Sequence, residues 1–345
     1  MKKIAVIGGN GYLGSVICNY LIEKKYAVTI FDNNLYKNCN IIKRKNNSKE
    51  VVIDAKNIKS NHLEGFDACI FLSALSNNPI DNLNPKRIYD IIREYTVKIA
   101  KICKKKNINF IFPSSCSVYG KNDKKIVNEY SKINPLTFYS KNKSEIEKDL
   151  LNLSNSKFNP IIFRIATVVG FSEMMRFDLY INMFVGMLIT HNQIILNSDG
   201  QAWRPNVDIR DVARAFEGAL KIKNKKPLIL NLGRNDNTFK IVDVAKLLQK
   251  RFKKSNIISI GKNNTFLNIK DDLIKNNKDK RSYKVSFTKI KKFKSLYPKY
   301  NLSQSLNKLI KDLKKTNLSK KKFNSNKFYR LQRLKYLIKK NRYKI

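Results

Sequence analysis

The chain predicts an α/β protein built on a doubly wound parallel sheet, with a smaller, mostly helical C-terminal lobe. Three observations carry that prediction. Apolar strand-like runs recur through the first half without polar alternation, as strands buried on both faces do. Between several of them lie segments with apolar residues at helical spacing, so the strands are joined by right-handed crossovers. A glycine-rich turn, "IAVIGGNGYLGSVI", links the first run to the first helical segment.

Taken in order, the runs are Ile4–Ile7, Val28–Phe31, Val51–Ile53, Ala68–Leu72, Asn109–Phe112 and Ile161–Ile165. Leu13, Val16, Ile17, Tyr20 and Leu21 share a helix face after the first run, and Ile88, Ile91, Ile92, Tyr95, Ile99 and Ile102 share one before the fifth. After about residue 170 the rhythm changes. Met174–Ile189 reads as one long apolar helix, and Val207–Leu220 with Leu228–Leu232 reads as a further strand-helix-strand passage. The organisation expected is a sheet-bearing unit over 1–170, rejoined by 206–235, a lobe over 171–315 and a basic segment over 316–345. In the last, Phe328, Leu331, Leu334 and Leu337 recur at helical spacing, as in a docked helix with a solvated basic face. An RNA- or membrane-surface-binding helix is the alternative reading of that tail.

Lys and Arg number 70 against 26 Asp and Glu, a net charge of +44. Lysines are spread along the whole chain beside abundant Asn and Ile, which fits compositional bias plus attraction for an anionic small ligand better than a clustered polyanion patch. Polyanion binding stays open for the tail alone. Cys18, Cys39, Cys69, Cys103 and Cys116 form no paired motif, and His62 and His191 are the only histidines. Neither a metal site nor a disulfide framework is expected, and free thiols suit a reducing cytoplasm. The apolar run at the start is too short for a signal peptide, and no run reaches the roughly 18 residues of a transmembrane segment.

In the glycine-rich turn, Gly9-x-Gly11-x-x-Gly14 fits a dinucleotide fingerprint, and Gly8-x-x-Gly11-x-x-Gly14 fits a close variant. One glycine makes the turn, Gly11 lets backbone approach a pyrophosphate, and Gly14 lets helix and strand pack closely. The helix start at Tyr12 and Leu13 then offers its N–H groups to the phosphates. Asp32 follows at the end of the second strand, placed to bind the adenosine ribose and to repel a 2′-phosphate, which favours NAD over NADP. Asp54, with Ala55, follows the third strand as an adenine contact or as a plain surface turn.

Further on, "PLTFYSKNKSEIEK" places Tyr139 and Lys143 one helical turn apart, side by side on one face. A free tyrosine titrates near about 10, so it becomes a base at neutral pH only if neighbouring positive charge favours its phenolate. A lysine ammonium and a nicotinamide ring would both supply that. Upstream, "IFPSSCSVYG" ends an apolar strand in a cluster of hydroxyls.

Together, Gly8, Gly11 and Gly14, "SSCSVYG", Tyr139-x-x-x-Lys143 and "FRIATVVG" resemble the extended short-chain dehydrogenase/reductase family, the NAD-dependent nucleotide-sugar epimerases and dehydratases, over the chain to about residue 295. The resemblance implies a Rossmann-type NAD domain, a nucleotide-sugar lobe, a usual homodimer and a triad of Ser115, Tyr139 and Lys143. It also implies that Ser73 and Ala74 of "FLSALS" line the cofactor, that Ser115 and Ser117 meet the substrate, and that Asn182, Arg204 and Arg281 hold its diphosphate. Arginine suits phosphate because its planar fork binds two oxygens at once. Two positions depart from the family pattern, Ile92 and Thr167 standing where asparagines are usual, and "MMRFDLYINMF" is similar to a branch tied to surface-polysaccharide sugars.

Family 4,6-dehydratases carry Asp-Glu after the hydroxyl residue; here those positions are Cys116 and Ser117. Without a carboxylic acid there, elimination of water lacks its general acid. The expected activity is NAD-dependent epimerisation of a nucleotide-activated sugar, through transient hydride transfer and a keto-sugar, with Tyr139 as base. Net reduction or oxidation of a keto-sugar nucleotide is the alternative enzyme reading. A non-enzymatic binder acting through the basic tail is the third.

Overall fold

Alternation within single strands decides how the chain is layered. In the first strand Ile4 and Val6 point to one side and Ala5 and Ile7 to the other, and all four are buried. A strand apolar on both faces needs helices on both faces. The computed structural model describes residues 1–44, 48–75, 85–259 and 281–341. Positions 260–280 of the expected lobe and 342–345 of the expected tail lie outside the described residues.

The chain begins β1 (Lys3–Ile7), α1 (Tyr12–Glu23), β2 (Ala27–Asp32), β3 (Lys49–Val52), β4 (Ala68–Phe71), α2 (Pro85–Lys105) and β5 (Asn109–Ser115). It continues through β6 (Lys121–Val127), α3 (Phe138–Leu153), β7 (Ile161–Ile165), β8 (Thr167–Val169), α4 (Tyr180–His191), β9 (Gln193–Leu196), β10 (Trp203–Asp208), α5 (Ile209–Ala219) and β11 (Leu228–Leu232). It ends with β12 (Thr238–Lys240), α6 (Ile241–Gln249), β13 (Asn256–Ser259), β14 (Ser282–Val285), α7 (Thr288–Lys291), α8 (Leu302–Lys314), α9 (Lys320–Phe323) and α10 (Arg330–Lys339).

Seven strands form one parallel sheet in the order β11-β7-β5-β4-β1-β2-β3. The chain steps outward from β1 through β2 to β3, then resumes at β4 on the opposite side of β1. That reversal opens a crevice beyond the carboxyl ends of β1 and β4, where ligands of doubly wound sheets bind. Helices α1 and α5 cover one face and α2 and α3 the other, each face with its own apolar cluster. β11 is the edge strand of this sheet beside β7, whereas β10 pairs elsewhere.

A third apolar cluster unites α4, α6, α8 and α9 with Phe328 and Tyr329, and forms the core of the C-terminal lobe. Short pairs complete the lobe: β8, β10 and β12 in one ribbon, β9 with β13, and β6 with β14. The long helix expected over Met174–Ile189 is shorter than its apolar pattern suggested. It starts only at Tyr180, after Leu179 in extended conformation. Residues 174–179 are held in a loop by two competing ties: Arg176 is paired with Asp178, and the Phe177 N–H donates to the Phe328 carbonyl.

In the tail, Leu331, Leu334 and Leu337 of α10 are buried. Phe323 anchors it, its ring centroid 4.9 Å from that of Phe177 and 6.1 Å from that of Tyr329. Gly186 of α4 makes room for it, since a Cβ there would meet the Phe323 ring at 2.3 Å. Replacing Phe323 by Ala should cost about 3–5 kcal/mol, read as a lowered urea midpoint, because a buried ring leaves a cavity its neighbours cannot fill.

Candidate active site

The hydroxyls at the end of β5 divide by partner. Ser114 donates to Glu147 of α3, which is itself paired with Arg164 of β7 at 2.7 Å. Ser115 caps the short turn Cys116–Tyr119, its Oγ accepting from the Ser117 N–H at 3.1 Å, and lines a cavity of about 780 Å³ at the sheet's carboxyl edge. Cys116 points into packing. Its thiol donates to the Arg164 carbonyl at 3.2 Å and does not line that cavity, and burial pushes its pKa well up. Ser117 lines the cavity, and its buried Oγ has no partner among the described residues.

Helix α3 delivers Tyr139 and Lys143. Thr137 starts it with a reciprocal cap, its Oγ1 accepting from the Ser140 N–H while its own N–H donates to Ser140 Oγ at 3.0 Å. Tyr139 and Ser115 line the same cavity, and Ser115 is near enough to act on the Tyr139 phenol. Lys143 is only 4% exposed; its Nζ donates to the Pro113 carbonyl at 2.8 Å and lies 5.8 Å from the Tyr139 ring centroid. Burial pulls the Lys143 ammonium down to about 7, with Glu147 acting against it. Burial likewise raises Tyr139, opposed by Arg176, Ser115 and Arg281. Arg176 and Arg281 are thus the charges that favour the Tyr139 phenolate in the ligand-free fold, beside the Lys143 that the sequence singled out.

Across the cavity, the glycine turn presents α1 end-on, with no side chain capping its start. At Gly14 a Cβ would lie 2.5 Å from the Gly9 carbonyl oxygen, so only glycine lets the helix sit this close to the strand. At Gly11 a Cβ would meet nothing nearer than the Gly8 carbonyl oxygen at 3.5 Å. The room beside Gly11 therefore belongs to the cavity, beside the first N–H groups of the helix at Tyr12 and Leu13. Asp32 Oδ2 accepts from the Asn10 N–H at 3.0 Å and Oδ1 from the Asn34 N–H at 2.8 Å, which fixes its carboxylate at the end of β2. An open glycine cradle, an uncapped helix start and an acid at the neighbouring strand end fit an NAD pyrophosphate and ribose.

The remaining expected residues separate clearly. Ser73, Ala74, Asp54, Arg204 and Arg281 line the same cavity. Asp54 also caps the turn Ala55–Asn57 and accepts from Asn33 Nδ2 at 3.2 Å. Arg204 directs Nη1 to the Trp203 and Arg281 carbonyls. Two expected residues do not reach the cavity. Ala55 is packed in the core beneath α2. Asn182 is wholly buried and uses its amide on the Gly170 N–H, the Tyr12 hydroxyl and the Arg176 carbonyl, which makes it a brace behind the site. Sequence reasoning missed Arg176 and Asp178. A charged pair two residues apart within "MMRFDLYINMF" was the available signal, because such a pair inside an apolar stretch must find its partner locally.

With this geometry in place, the comparisons with known proteins are specific. The family described as "Epimerase: NAD dependent epimerase/dehydratase family" matches residues 4–233. A protein of Methanocaldococcus jannaschii, provisionally named UDP-glucose 4-epimerase, is 30% identical over 241 residues, covering 68% of this chain and 78% of its own length. Among solved structures, TunA, an NAD-dependent NDP-hexosamine 5,6-dehydratase of tunicamycin biosynthesis, aligns with a TM-score of 0.77 at 16% identity over 90% of this chain and 97% of its own. The UDP-N-acetylglucosamine 4-epimerase of Methanobrevibacter ruminantium M1 aligns with a TM-score of 0.76 at 20% identity over 91% and 98%. At those identities the two structures establish the shared fold.

The two glycines should separate folding from binding. Gly14→Ala should lose much of the protein's stability, whereas Gly11→Ala should keep the wild-type unfolding midpoint closely and lose NAD affinity in a titration. Lys143 supplies a pH test. Between about 7 and its ordinary 10.5, the unfolded chain holds a proton that the folded chain does not, so stability rises with pH across that window. In cofactor-free protein, Lys143→Met should therefore exceed wild type most near neutral pH, and the gap in urea midpoint should shrink as pH climbs.

Proposed function

Because the chain belongs to the NAD-dependent epimerase/dehydratase family, we propose that it inverts one carbinol carbon of a nucleotide-activated sugar. The observation that carries this reading is the Ser115–Tyr139 hydroxyl pair facing the cavity without a proton-donating carboxylic acid beside it. Four acids line that cavity among the described residues: Asp32, Glu50, Asp54 and Asp178. The first three gather at the glycine-turn side around Asn10 and Asn33. Burial would raise the Asp178 carboxyl, yet Arg176 and Arg330 hold it below the usual carboxylate range. An acid kept ionised cannot protonate a departing hydroxyl, which speaks against water elimination.

NAD, when bound, supplies the acceptor and donor of a hydride. The glycine turn and Asp32 would hold its pyrophosphate and ribose, and Ser73 and Ala74 would line it. Tyr139 would take the proton of the sugar hydroxyl at Oη, and Ser115 would hold the same oxygen. Arg176 and Arg281 favour the phenolate that accepts this proton. Lys143 keeps the ring and the β5 end in register through the Pro113 carbonyl. Arg204 and Arg281 are the candidate ligands of the sugar's diphosphate, and Ser117, with its unused hydroxyl, a candidate contact to the sugar. Relatives named as 4-epimerases support inversion.

Protein incubated with NAD and a panel of nucleotide sugars should give an isomer of equal mass with no net NADH. Steady NADH production or consumption would instead favour a net oxidoreductase. Tyr139→Phe should lower turnover by about 10²–10⁴-fold, the usual contribution of a positioned acid-base group, while NAD affinity is retained. Full activity in that variant would overturn the mechanism.

A further inference from the structure

The basic tail does more than cover the lobe. Between α9 and α10 it passes beside the cavity, tied to the 174–179 loop by the Phe177–Phe328 backbone bond and to the loop after β2 by Lys322, whose Nζ reaches the Ile41 carbonyl at 2.6 Å. Arg330, the first residue of α10, is placed between those two loops. Its backbone N–H donates to Asp178 Oδ2 at 3.3 Å and its Nη2 to the Met174 carbonyl at 3.1 Å, while its guanidinium lies 4.3 Å from the Tyr36 ring centroid.

Arg330 is only 5% exposed, yet it lines the cavity together with Tyr36 and Arg176. Its Nη1 is buried and has no partner among the described residues. Arg176 occupies both oxygens of Asp178 at 2.9 and 3.1 Å, so that carboxylate is already engaged beside the Arg330 guanidinium. Burial, and then the like charge of Arg176, push the Arg330 guanidinium below its ordinary pKa despite nearby Tyr36 and Asp178. A buried charged donor without an acceptor is costly unless a ligand completes it.

We propose that Arg330 is a ligand-binding residue, whose Nη1 donates to an anionic phosphate oxygen of the molecule in the cavity. A diphosphate is the matching chemistry, because a guanidinium held on two sides still offers a charged donor edge to it. The oxygen can come from the pyrophosphate of the cofactor or from the diphosphate of the nucleotide sugar. The inference rests on reading the cavity as the site of both.

Titrations of the full chain with NAD, UDP-glucose and inorganic pyrophosphate test it. Arg330→Gln should weaken at least one of the three by about tenfold or more, as loss of a charge-assisted hydrogen bond implies, and Arg330→Lys by less. Loss confined to NAD assigns the oxygen to the cofactor, and loss confined to UDP-glucose assigns it to the substrate. Pyrophosphate bound by wild type and lost in Arg330→Gln supports the arginine's role even if neither larger ligand binds. Phe323→Leu loosens the same segment without lining the cavity, and should leave all three affinities unchanged. The proposal fails if Arg330→Gln binds every probe that wild type binds within about twofold, if wild type binds none of them, or if Phe323→Leu reproduces the loss.

Discussion

The buried ion pair between Glu147 and Arg164 is the constraint on which the site is built. It joins α3 to β7 at 2.7 Å with both side chains almost wholly out of solvent. Ser114 of β5 donates to the same carboxylate, and Arg164 extends to the Tyr119 hydroxyl, which donates to Asn231 of β11 at 2.7 Å. Three adjacent strands, the turn after β5 and the helix bearing Tyr139 are thus locked to one another. Removing either charge would strand its partner in a dry interior, at a cost of about 3–5 kcal/mol. Because Glu147 lies one turn beyond Lys143 on α3, the pair also fixes how far Tyr139 stands from Ser115.

A second constraint follows from charge. The walls of the cavity hold Lys143, Arg176, Arg204 and Arg330 in buried positions, with Asp178 paired to Arg176 among them. Positive groups held out of water are better balanced when an anion enters, which links ligand binding to stability.

Much of the site was legible because its parts are local. The glycine spacing, Asp32 at the next strand end and the Tyr139–Lys143 pair each depend on a turn or a helix repeat, which a few adjacent residues determine. Cys116 and Ser117 were informative for the same reason: a position beside a strand end is known once the strand is known. Met174–Ile189 misled because apolar periodicity there reports burial, and a buried loop pinned by Arg176 and Asp178 buries its residues just as a helix does. Asn182 misled because a motif match places a residue on a helix without saying which side of the site it faces.

By itself, the sequence determined the parallel sheet, the dinucleotide turn and the placing of Tyr139 and Lys143 on one helix, all of which follow from short-range periodicity and from the chemistry of single residues. Only the tertiary structure decided which cations act on Tyr139 and which hydroxyls face the cavity. It alone brought Arg330 from the end of the chain against Tyr36 near its beginning. Charge interactions and hydrogen bonds depend on distances of a few ångströms across segments far apart in the chain, and those distances exist only once the helices have packed on the sheet and the tail on the lobe.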